Sequence, residues 1–145
     1  MSDYSFRDFL NHTINLSPAD KVKIASEALK TYIDYLKSDG INDEKIDDSI
    51  LWMTKLFVSA DVRLAKDEYD FFRAVTGIDV DAKNFYEITN GGADPEFIEK
   101  MLGFIKSMPE KPREAAVSYG MMVMACDENI DFSESDLIKR LLEIL

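Results

Sequence analysis

Apolar residues recur at three- and four-residue intervals along most of this chain, and that period predicts helices. Val22, Ala25, Leu29, Tyr32, Ile33 and Leu36 fall on one side of a helix that Ser17-Pro18-Ala19-Asp20 opens and Ser38-Asp39-Gly40 closes. Lys21, Lys23, Glu27, Lys30 and Asp34 are left for its other face. Before it, Phe6, Phe9 and Leu10 suggest a short first helix. The next helix, from about Asn42 to Ala60, carries Ile46, Ile50, Met53, Leu56 and Phe57, while Leu51, Trp52 and Val58 widen its apolar surface. Such width predicts a central, enclosed helix.

Two short helices follow, one with Phe71, Phe72 and Val75 ending at Thr76-Gly77, the other with Phe85, Tyr86 and Ile88. Asn90-Gly91-Gly92 then breaks the chain near its midpoint. Asp94-Pro95 starts a helix with Phe97, Ile98, Met101, Leu102, Ile105 and Met108 on its buried stripe. After Met108-Pro109 and Lys111-Pro112, residues Arg113 to Cys126 are apolar on nearly every side and read as a second central helix. Ser133-Glu134-Ser135-Asp136 caps a last helix through Leu137, Ile138, Leu141, Leu142 and Leu145. No segment alternates at period two for long, so the expected class is all-α: one single-domain bundle of about seven helices.

The chain also repeats itself. Asp61, Leu64 and Glu68 return as Asp127, Ile130 and Glu134, 66 residues later at both carboxylates. With the same shift, Met53, Phe57, Ala60, Phe71, Phe72 and Val75 fall on Tyr119, Val123, Cys126, Leu137, Ile138 and Leu141. Apolar matches apolar at each position. The halves, about 17–90 and 94–145, each read as amphipathic helix, enclosed helix, acidic loop and amphipathic helix. That order predicts a pseudo-twofold bundle with the enclosed helices at its centre and Leu64 and Ile130 plugging the loops into the core.

An Asp ending a buried helix, an aliphatic residue three later and a Glu seven later, given twice in an acidic helical chain, resembles the tellurite-resistance TerB family. The matching residues are Asp61, Leu64 and Glu68, then Asp127, Ile130 and Glu134; Val62 and Glu128 stand where that family's signature has glycine. The likeness spans about residues 46–145 by pattern. It implies a compact bundle of about seven helices, a role in stress response and resistance to toxic oxyanions, divalent-cation binding through acidic residues, and assembly with membrane-bound partners. It implies no enzymatic activity.

Asp61, Glu68, Asp127 and Glu134 are therefore the candidate metal ligands. Four converging carboxylates form an oxygen-rich site suited to Ca²⁺, Mg²⁺ or Mn²⁺. The competing account is plainer: the two Asp residues cap turns and the two Glu residues sit favourably at helix N-termini. Asp127-x-Asn129-x-Asp131-x-Ser133 imitates the start of an EF-hand, but Phe132 replaces its glycine and Ile138 its bidentate Glu. Asp131 and Glu128 remain peripheral candidates in a solvated acidic loop.

Composition narrows the function classes. With 17 Lys and Arg against 28 Asp and Glu, the net charge of −11 disfavours nucleic acid and favours cations or basic partners. The acidic start of the chain has no apolar stretch of a signal peptide, and the longest apolar run, Tyr119 to Cys126, is too short for a bilayer. A single cysteine fits a reducing compartment. The expectation is a cytoplasmic protein with a protein partner and no direct membrane insertion. His12, the only histidine, has no nucleophile beside it, so no acid–base or covalent machinery is expected, and Cys126 reads as a small buried thiol.

Overall fold

A computed structural model of the protein describes residues 16–58, 66–89, 95–125, 140–141 and 143–144, with the side chains of residues 66–68, 89, 124 and 125 left aside. Among the described residues there are six helices and no strand: α1 (Pro18–Ser38), α2 (Asp43–Val58), α3 (Lys66–Thr76), α4 (Ala82–Thr89), α5 (Pro95–Ser107) and α6 (Glu110–Ala125). Arg140, Leu141, Glu143 and Ile144 are helical as well. The helix expected around Phe6 and Phe9, and both acidic loops, lie outside the described residues.

Local chemistry accounts for where the helices begin and end. Ser17 caps α1 by accepting a hydrogen bond from the Asp20 amide at 3.2 Å, with Pro18 pre-shaped for the first helical position. At the other end Gly40 takes φ +81°, a left-handed conformation open to glycine, and the Ile41 amide reaches back to the Leu36 carbonyl. Asn42 caps α2 through the Lys45 amide at 2.9 Å, and Asp81 caps α4 through the Asn84 amide at 2.7 Å. Gly77, at φ +66°, closes α3.

Three expectations are corrected. The helix read from Arg113 begins at Glu110, so Pro112 lies inside its first turn; a proline is accommodated there because that amide has no intrahelical acceptor. Lys21, assigned to the polar face of α1, is only 2% exposed. It stands one turn before Ala25, in line with Leu29, Tyr32 and Leu36, and its long aliphatic stem lets it occupy that stripe. Trp52, expected to widen an enclosed helix, is 46% exposed.

One buried cluster runs through the six helices and reaches Leu141. The widest packing is α1 against α6, and α6 also meets α2, α3 and α5. Tyr119, Met121, Met122 and Val123 are all buried, as expected of an enclosed helix. On the other side of the core α2 packs on α1, α4, α5 and α6. Among the described residues no helix is long and apolar enough to cross a membrane.

Candidate functional site

The two helices that precede the candidate Asp residues in the sequence, α2 and α6, pack on one another. Gly120 of α6 faces the Phe57 ring so closely that a Cβ there would fall inside the ring's van der Waals envelope, with Cε1 and Cζ nearest. Only glycine lets the two helices approach this far. Beside the notch lies a chain of buried hydroxyls. Thr54 Oγ1 donates to the Ile50 carbonyl at 2.7 Å, and the Tyr119 hydroxyl lies 2.6 Å from the same oxygen. Because threonine has a single hydroxyl proton, which goes to Ile50, Tyr119 is the donor in the second bond.

In the sequence both helices are followed closely by a candidate carboxylate. α2 ends at Val58, three residues before Asp61, and α6 ends at Ala125, two residues before Asp127. Glu68 is the third residue of α3, in the helix turn whose free amides favour a carboxylate. Asp61, Asp127 and Glu134 lie outside the described residues, as does the side chain of Glu68. His12, Cys126, Glu128 and Asp131 also lie outside them. Among the described residues, no group of three or more His, Cys, Asp or Glu side chains is arranged to hold a metal.

Neighbouring contacts hold the frame. α3 is backed by rings: Phe72 stands 5.1 Å from Phe85, and Tyr69 stands 5.4 Å from Phe85. The Tyr69 hydroxyl donates to the Val80 carbonyl at 2.8 Å, tying α3 to the segment leading into α4. On α1, the fully buried Tyr32 shares a hydrogen bond with Ser49 of α2. Burial pushes the Tyr32 phenol above its ordinary range, because phenolate would lose its hydration; the Ser49 bond acts against this and the nearby Tyr35 adds to it. Arg140 pairs with Glu99 of α5, tying the C-terminal helical segment to that helix. Both ends of this pair are substantially exposed, so it adds little stability.

Two features escaped the reading of the sequence. Arg113 Nε is buried and has no hydrogen-bond acceptor among the described residues. Nothing in the residue pattern points to it, because Arg113 stands at the start of the expected central helix, where a charged side chain reads as solvent-facing. Gly120 carries a faint signal, a lone glycine in an otherwise apolar helix, which is a mark of close backbone approach. Compared with known protein families, characterised proteins and solved structures, the chain matches none.

Proposed function

We infer that this chain is a non-enzymatic, TerB-like helical protein that binds a divalent cation through Asp61, Glu68, Asp127 and Glu134 and works in a stress response with a membrane-associated protein partner. The observation that carries this reading is the agreement between the 66-residue repeat and the helix crossing. Each copy places its Asp just after α2 or α6, and these two helices pack on one another. At the crossing Phe57 meets Gly120; under the same shift Phe57 corresponds to Val123 and Gly120 to Thr54. All four of these positions lie on the packed pair α2 and α6, which supports a pseudo-twofold frame and, with it, two acidic junctions meeting about one axis. Oxygen donors without nitrogen or sulfur suit Ca²⁺, Mg²⁺ or Mn²⁺.

The test is calorimetric and thermal titration with each of the three ions. A ligand at a hundred times its dissociation constant stabilises the native state by about 2.7 kcal/mol, and the variant carrying Asp61→Asn and Asp127→Asn should lose that gain. Absence of both heat and stabilisation overturns the reading. A second reading, a metal-free interaction module, rests on a different observation: the first turns of α2 expose Asp43, Glu44, Asp47 and Asp48 together. An acidic face of this kind would steer a basic partner, with an association rate that falls as salt rises.

A further inference from the structure

Among the described residues two large apolar side chains stand out from the surface: Trp52 on α2 and Phe104 on α5, 46% and 37% exposed. They belong to one face. The Trp52 ring lies 5.9 Å from that of half-buried Phe97 on α5, and Phe104 follows Phe97 by seven residues. That interval is two turns, about 10 Å further along the same side of the helix. Half-buried Met101 stands between them in the same row. Lys55 Nζ rests 5.5 Å from the Trp52 ring centre and 5.1 Å from that of Phe97, so a cation sits against both π faces.

The charges around this face are mixed. Residues three, four, seven or eight positions from Trp52 or Phe104 share their side of the helix. The charged ones are Glu44, Lys45, Asp48 and Lys55 on α2 and Glu96 and Lys100 on α5, three anions and three cations. The face is neutral in a chain whose net charge is −11. Two copies meeting across it therefore face no local like-charge repulsion. A twofold interface brings a patch against its own copy, so it must be self-complementary, with both signs of charge around its apolar centre. A strongly acidic partner would be repelled by the surrounding surface, and a strongly basic one would find better complements outside this face.

We propose that the α2–α5 face is a homodimer interface. Trp52 and Phe104 of each copy pack against the same face of the other, and Lys55 and Lys100 stand opposite Glu44, Asp48 and Glu96 of the second copy. The proposal does not depend on the cation-binding reading.

Sedimentation equilibrium of the full chain from about 1 µM to 1 mM, which spans the weak-association range, tests it. The mass should rise from 16.5 kDa towards twice that value. Trp52 is the sole tryptophan, and its emission should shift to the blue along the same concentration curve. Phe104→Ser should leave the melting temperature in place and move the association midpoint at least about tenfold higher, which is about 1.4 kcal/mol of dimer stability. Should that variant melt early, Lys100→Glu gives the same reading from the charge side: it should weaken association, and adding Glu96→Lys should restore it. A monomer at every concentration overturns the proposal. So does a dimer that Phe104→Ser and Lys100→Glu leave unchanged.

Discussion

Gly120→Ala should destabilise the protein, although in an open helix position the same substitution stabilises. On its own, exchanging a helix-interior glycine for alanine gains about 0.5–1 kcal/mol, through a less flexible unfolded chain and better helix propensity. At Gly120 the added methyl enters the space of the Phe57 ring, which is fully buried and so has no free direction in which to retreat. Either the ring leaves its rotamer or α2 and α6 move apart, and overpacking of this kind costs about 1–3 kcal/mol. The net loss is about 0.5–2 kcal/mol, a fall in melting temperature of roughly 2–8 °C for a domain of this size. Gly103 on α5 supplies the internal control. A Cβ there meets nothing within 4 Å, so Gly103→Ala should gain about 0.5–1 kcal/mol. Urea unfolding of both variants decides the matter, with Phe57→Leu added to Gly120→Ala to relieve the overlap. A coupling of at least about 0.5 kcal/mol between positions 57 and 120 is expected. If Gly120→Ala is as stable as the parent, or more so, the close crossing is refuted.

Alkaline pH probes Tyr32. Its phenol has a folded pKa above the unfolded value of 10.0, so the native state holds its proton longer; the stability this contributes is complete below pH 10 and is lost as pH climbs towards the folded value. Tyr32→Phe should cost about 1 kcal/mol at neutral pH through the lost Ser49 bond, yet show a shallower decline above pH 10; equal slopes for the two proteins would contradict the burial argument. At the start of α1, Ser17→Ala removes the acceptor for the Asp20 amide and should lower stability by about 1 kcal/mol in urea titration, while Ser17→Gly should cost only a few tenths.

Local signals in the sequence located the helices well. Ser17, Gly40, Gly77 and Pro95 mark ends by chemistry confined to a turn, and each marks the end it was expected to mark. What depends on distant neighbours was less legible. Lys21 looks polar in isolation, and its place in the buried stripe shows only when α1 is packed on its partners. Trp52 was assigned to an enclosed helix because apolar width alone does not say which flank a neighbour covers. Pro112 reads as a break because a proline's compatibility with a first turn depends on where that turn starts. The four candidate carboxylates were legible as a spacing, and a spacing does not contain the tertiary packing that would bring such groups together.

The hydroxyl chain from Tyr119 through Thr54 to Ile50 acts on the core as a detent acts on a sliding shaft. Greasy helices rich in methionine and leucine pack almost equally well after moving by a turn, because soft side chains re-form similar contacts. A displacement of about 5.4 Å would carry the two hydroxyls out of reach and bring the Phe57 ring off its notch onto a side chain. The polar link thus turns a slippery seam into an indexed one. The C-terminal turns of α2 and α6 are thereby held at a set phase and height, which a purely oily crossing would leave loose.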